Sequence, residues 1–218
     1  MALDYKTLKE KQRQIRESFH ENLGLRVHRA LSWLQRAELE TEDNDARFVF
    51  LWIAFNAAYA NEISNRQKYS ERKFFIRFLK RLIDADDEKL LYNIIWREFP
   101  RSVRALINNR YVYQPFWNFH NGDENYANWE DSFDNSKTRA NKAIGQMDTL
   151  KALAVVFDRL YVLRNQVVHG GATWNSSVNR DQIKNGADIM GHLVPVVIHL
   201  MMLNKSGIWG EPCYPVVQ

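Results

Sequence analysis

Three residues in the second half of the chain carry side chains able to work on a phosphate: Arg164, Asn165 and His169, in residues 160–171, Leu-Tyr-Val-Leu-Arg-Asn-Gln-Val-Val-His-Gly-Gly. A guanidinium is a planar fork that matches phosphate oxygens. An imidazole is the side chain whose ordinary pKa lets it take and give a proton near neutrality. Together they suit phosphodiester cleavage. The plainer alternative is that Arg164 and Asn165 cap or cross-link helix carbonyls while His169 pads a helix C-terminus, where basic residues are favourable.

The elements that must hold these residues follow from periodicity. Leu153, Val156, Leu160, Leu163 and Val167 recur at steps of three and four, so they lie on one face of a helix predicted over 147–169. Gly170 and Gly171 accept positive φ and should stop it, leaving His169 in the last turn. Asn165 and His169 are then about 40° apart in azimuth and can face one groove. Arg164 is offset by about 140° and about 7.5 Å back along the axis, a distance its long side chain can span.

An Arg, a polar residue and a His, with four to six positions between the Arg and the His at a helix end, resemble the signature of the HEPN superfamily of small helical proteins. Arg164, Asn165 and His169 match it without a gap. Residues 50–59, Phe-Leu-Trp-Ile-Ala-Phe-Asn-Ala-Ala-Tyr, resemble the buried earlier helix of prokaryotic, Apea-like HEPN proteins. The resemblance covers about half the chain. It implies an all-α, multi-helix up-and-down bundle of HEPN type and a metal-independent endoribonuclease in which the RNA 2′-hydroxyl attacks the adjacent phosphorus. His169 would be general base on that hydroxyl or general acid toward the leaving 5′-oxygen, and Arg164 would stabilise the charge building on the phosphate. Asn165 would orient the ring or the helix end, and the products would be a 2′,3′-cyclic phosphate and a 5′-hydroxyl.

One imidazole serves two proton transfers poorly, and HEPN nucleases pair two Arg-His sets across a two-fold axis, so the resemblance implies a homodimer. It also implies a toxin-antitoxin or phage-defence role, with an antitoxin or nucleotidyltransferase as a candidate partner. A second expectation is a HEPN module that binds RNA, nucleotide or a partner protein without cleaving, and a third is a purely structural helical dimer.

Composition sets the outer bounds. The 218 residues are enough for one substantial core, and with nine Gly, five Pro and no Pro/Gly/Ser-rich linker they favour one all-helical domain over 1–218. The single cysteine, Cys213, rules out an internal disulfide and a cysteine-based zinc cluster, as suits a reducing, cytoplasmic setting. His192 and His199 are seven apart with no acidic or further His partner at ligand spacing, so no metal and no cofactor is expected. The N-terminus has no apolar signal core and the longest apolar run, 48–55, is too short to span a bilayer, so no membrane association is expected.

The net charge of +4 is unevenly spread. Residues 66–110 hold 12 Lys/Arg against 6 Asp/Glu, whereas 120–135 hold five acids and no Lys or Arg. A basic face attracts nucleic acid and an acidic loop repels or covers it, although a solvated helix surface explains each equally well.

Along the chain, residues 1–45 read as N-terminal helices, with Gly24 separating 3–21 from 25–39 and Asp43, Asn44 or Asp45 capping the next helix. Residues 48–59 are apolar almost all round, hence a core helix; Asn56 within it reads first as a satisfied core amide and second as a residue ordering Arg164 or a bound phosphate. Residues 70–84 carry Phe74, Phe75, Phe78, Leu79 and Leu82 at helical spacing, with Arg77, Lys80 and Arg81 among the interleaved cations, a candidate RNA-guiding flank or a solvated one. Shorter helices are expected over 90–99 and 103–107, punctuated by Pro100. Periodicity fails from 111, so 111–142 reads as a loop-rich, aromatic-rich insertion whose rings pin it to the helices. Asn175, in the polar connector after Gly171, offers a donor beside the proposed groove or stabilises the turn. A last helix over 181–203 should kink at Pro195, and 208–218 should be an extended tail.

Overall fold

The computed structural model describes residues 3–59, 68–204 and 209, and among them the chain is helical, with no strand. It forms two compact units, residues 1–91 with 190–218, and residues 92–189.

In the first unit, α1 (Tyr5–Ile15) starts at a capping box in which Asp4 accepts from the Thr7 N–H at 2.8 Å. The break before α2 (Glu21–Glu38) falls at 16–20, a 3-10 turn followed by extended Phe19 and the N-cap His20, and not at Gly24, which sits inside the first turn of α2. Its N–H donates to the N-cap His20 carbonyl at 2.9 Å, so the glycine takes part in the first backbone bond of α2 and does not break it. Asp43 caps α3 (Asn44–Tyr59), accepting from the Ala46 N–H at 3.0 Å.

Helices α2 and α3 pack along each other, and the wholly buried Arg26 donates from Nη1 to the Ala58 carbonyl at 3.0 Å, satisfying an end carbonyl of α3. The aromatic side of α3 continues into α4 (Lys68–Asp84): Phe55 and Tyr59 meet Phe75 and Phe78 at 5.2–6.3 Å between ring centres. Phe74, expected in that stripe, is instead exposed. Trp209, the described residue of the 208–218 tail, meets Phe78 in a T-shaped contact and donates to the Asn204 carbonyl; the rest of that tail lies outside the described residues.

Helix α10 (Arg180–Leu203) runs through Pro195 without interruption and buries Met190, Leu193, Val194, Val197, Leu200 and Met201. By length and composition it could cross a membrane, yet 72% of its most apolar window is buried within the protein, as a core helix requires. A Cβ at Gly191 would meet Arg47 Nη2 at 2.6 Å, so the glycine lets α3's guanidinium lie against α10.

The second unit holds the predicted motif helix. A short α5 (Leu90–Asn93) runs into one π turn over Ile94–Glu98, and Pro100 occupies the first turn of α6 (Pro100–Asn108), where its missing N–H costs nothing. Residues 111–142 are not a loop-rich insertion. They contain α7 (Gln114–His120) and most of α8 (Trp129–Gly145), with turns over 121–128. The polar residues there act as caps, as when Asp123 accepts from the Asn125 N–H, and the buried side of α8 is carried by Trp129, Phe133, Ala140 and Ala143. The rings do pin this region, since Tyr113, Phe116, Trp129 and Phe133 form a buried cluster.

One half-buried base in the first unit gives the fold a pH dependence. Burial pushes the His199 imidazole below its usual 6.5, Lys11 adds to this, Glu88 and Asp86 oppose it, and His199 Nδ1 is buried with no hydrogen-bond partner among the described residues. The unfolded chain therefore binds this proton more readily than the folded one. Stability should be complete above about pH 6.5 and decline on acidification below it. Chemical denaturation against pH should show a weaker acid-side decline in His199→Gln; an identical slope in both proteins would exclude His199 as the cause.

Candidate functional site

Helix α9 (Thr149–Val168) begins at Asp148, whose carboxylate accepts from the Lys151 N–H at 3.0 Å. Hydrogen bonds to Lys151 hold the Asp148 carboxyl below its usual range. Leu153, Val156, Leu160 and Leu163 are fully buried, as their spacing predicts, while Val167 is only partly so. The helix stops as expected: His169 is its C-cap, donating its N–H to the Asn165 carbonyl at 3.0 Å, and Gly170 takes φ +72°.

The side chains of Arg164 and Asn165 come together. Arg164 Nη1 donates to Asn165 Oδ1 at 2.9 Å, while Arg164 Nε is buried with no hydrogen-bond partner among the described residues. No carboxylate pairs with Arg164 there either. A guanidinium steadied by a neutral amide through one Nη has the N–H groups of the other left for an anion. The amide's own NH2 is a further donor beside it. His169 is exposed, and its ring makes no hydrogen bond to the described residues.

The other residues singled out from the sequence divide differently. Asn175 has φ +53°, tolerable for an asparagine, and its Oδ1 accepts from Arg180 at 3.0 Å, so its oxygen is engaged in the connector turn. Asn56 is partly buried on α3; Arg77 and Lys80 are exposed and Arg81 partly buried on α4. These four belong to the first unit, and Arg164, Asn165, His169 and Asn175 to the second. Among the described residues no three of His, Cys, Asp and Glu are grouped to hold a metal ion.

Two residues that periodicity did not single out bind the motif helix to its surroundings. Gln166, between Asn165 and Val167, donates from Nε2 to the Tyr111 carbonyl, which also accepts from Trp117 Nε1 at 2.7 Å. The 3-10 turn Arg110–Val112 is thereby held against the last turn of α9. Arg159, 2% exposed, lies 4.5 Å from the Tyr113 ring centre and 5.4 Å from that of Phe133 and donates to Ser136 Oγ at 3.1 Å. Burial lowers its pKa from the usual arginine value, and Nε has no partner among the described residues. Two aromatic faces lie against the buried cation, and Tyr113 and the neighbouring Asp158 favour its charged form against that burial. The available signal was a cation on an apolar helix face, in a chain with a cluster of rings elsewhere.

Comparison with protein-family models, with curated proteins and with solved structures finds no match to this chain.

The Arg159 clamp is open to measurement. Arg159→Ala removes both ring contacts and leaves a cavity, and should cost about 2–4 kcal/mol of unfolding free energy. Arg159→Met keeps the volume without burying a charge and should recover most of that loss. Urea denaturation checks both; an Ala variant within about 0.5 kcal/mol of the parent, as for an ordinary surface site, would contradict the clamp.

Proposed function

We propose that this chain is a HEPN-type helical bundle acting as a homodimeric, metal-independent endoribonuclease. The observation that carries the reading is a partly buried guanidinium, steadied by Asn165 and unpaired with any described carboxylate, one turn before an exposed imidazole at the same helix end. That pairing has the parts needed to bind a phosphate and move a proton.

The chemistry balances without a co-reactant. One imidazole takes the proton of a ribose 2′-hydroxyl, a bond forms from O2′ to phosphorus, and the bond from phosphorus to O5′ breaks. An imidazolium returns a proton to the departing 5′-oxygen. Arg164, with Asn165 behind it, stabilises the charge on the phosphoryl oxygens between these events. The two proton transfers call for two imidazoles, hence for two copies of the chain.

A surface for the second copy adjoins the motif. Tyr161, Asn165 and Val168 share one face of α9 by their spacing, with Tyr161 53% and Val168 48% exposed, and Trp174 in the connector is 69% exposed. Exposed apolar side chains on the last two turns of a helix and in the connector after it suit an interface between subunits. Arg77, Lys80 and Arg81 on α4 would add sequence-independent attraction for RNA. A cytoplasmic toxin-antitoxin or phage-defence role, with an antitoxin or nucleotidyltransferase partner, is the setting that the resemblance suggests.

One observation favours a second reading, a module that binds RNA, nucleotide or a protein without cleaving. No described residue hydrogen-bonds the His169 ring, so none of them fixes its tautomer.

Incubating the purified chain with single-stranded RNA in EDTA separates the two. Cleavage to 2′,3′-cyclic phosphate ends is expected, reduced about 10²- to 10⁴-fold by His169→Ala and about 10²- to 10³-fold by Arg164→Ala. The parent should sediment as a dimer, and Val168→Asp as a monomer without activity. Binding without cleavage selects the second reading, and cleavage that survives both alanine substitutions, or that a monomer performs, contradicts the first.

A further inference from the structure

The aromatic segment sorts its rings into two kinds. Tyr113, Phe116, Trp129 and Phe133 are buried together, whereas Tyr111, at the start of the same segment, is 45% exposed. It is not a loose side chain. Its carbonyl is held by two donors, Trp117 Nε1 and Gln166 Nε2, and its ring meets Phe116 edge-on at 5.4 Å and 85°. The Arg110 guanidinium lies 5.1 Å from the Tyr111 ring centre, and its Nη2 donates to the Tyr111 hydroxyl at 3.2 Å. Arg110 is exposed and forms no ion pair with the described residues.

The location gives this pair its interest. Gln166 lies in the last turn of α9, so its bond to the Tyr111 carbonyl holds the backbone of the 3-10 turn, with its ring and its cation, against the turn that also carries Arg164 and Asn165, on a different side of the helix from Arg164. An exposed ring is a stacking platform for a base, and a guanidinium lying over one of its faces offers its own plane to a base and attracts phosphate. A base can reach such a platform only when it is not paired and stacked within a duplex.

We infer that Tyr111 and Arg110 form a subsite for one nucleotide of a single-stranded polynucleotide, beside the Arg164–Asn165 turn. The inference deepens the ribonuclease reading, and rests on it, by making the substrate single-stranded and giving the strand a base contact at the same helix end as its phosphate contact. Tyr111 is a positioning residue: it holds the strand and takes no part in proton transfer. Substituting its side chain leaves the carbonyl that Gln166 uses, so the motif helix keeps its anchor.

Binding of short fluorescein-labelled oligoribonucleotides to the full chain carrying His169→Ala, followed by anisotropy, tests this without cleavage. Arms with the matching oligodeoxynucleotide and with duplex RNA separate sugar and strandedness. Tyr111→Ala and Tyr111→Leu should weaken single-strand binding about 5- to 150-fold, Tyr111→Phe should bind like the parent, and Arg110→Ala should reduce the salt slope by about 0.7. The Leu variant retains apolar contact with Phe116, so a loss shared by Ala and Leu but not Phe reports the aromatic face. Equal binding by all three Tyr111 variants, or tighter binding of duplex, overturns the subsite and leaves the nuclease reading standing if the parent still cleaves. Absence of binding to every oligonucleotide, together with absence of cleavage by the unsubstituted chain, overturns both.

Discussion

A helix buried on nearly every side can present chemistry only where it ends. From Ala152 to Leu163, α9 exposes little beyond Tyr161, and its first free turn is the one that carries Arg164, Asn165 and the C-cap His169. Burial of Leu153, Val156, Leu160 and Leu163 contributes about 1.5–3 kcal/mol each, so the four together outweigh the single hydrogen bond from the Arg164 guanidinium to Asn165, about 1.5–3 kcal/mol net for a charged donor. The aliphatic side therefore decides where the helix lies and the polar trio does not. Substitutions in the trio can alter what the end does while the helix stays in place, a separation that a functional site needs.

The surroundings of that end rest on contacts between polar groups and rings. Arg159 pins α8 and the segment before α7 to the middle of α9 through Phe133, Ser136 and Tyr113. Gln166 pins the turn at Tyr111 to its last turn. Between these two anchors the aromatic cluster closes its own small core, so the region beside the motif is ordered by α9 itself. The Arg159 cation is costly to bury, and a hydrophobic residue of similar size would do as well for stability alone. Its geometry, set by two ring faces and one hydroxyl, fixes how the neighbouring helices meet.

Much of this was legible in the sequence where the information is local. Steps of three and four marked the buried side of α9, and the glycine pair marked its end, with Gly170 alone taking positive φ. The all-round apolar pattern of 48–59 marked α3, and Asp43 its cap. Helix α8 was missed because its buried side is carried by two rings and then alanines, which leave a weak apolar period among Asn, Asp, Ser and Lys. Phe74 was missed in the opposite sense: five apolar residues on α4 exceed what one buried stripe can hold, and the spare ring faces out. Gln166 and Arg159 depend on partners 55 and 23 residues away, which no window of spacing reveals. Asn56, expected first as a core amide and second as ordering Arg164 or a bound phosphate, belongs to the first unit and Arg164 to the second, so the local pattern of neither helix bears on the second expectation.

In the ribonuclease reading proposed above, the guanidinium of Arg164 and the imidazole of His169 act on one phosphate. NMR of the full chain, with arginine Nε–H and histidine ring resonances assigned, can be followed during titration with a short RNA whose attacking 2′-hydroxyl is replaced by hydrogen, so that it binds without being cut. The account predicts that the Arg164 Nε–H, buried and without a described partner in the free protein, and the His169 ring both shift, with the same dissociation constant. Shifts at one residue only, or saturation of the two at different concentrations, would contradict it.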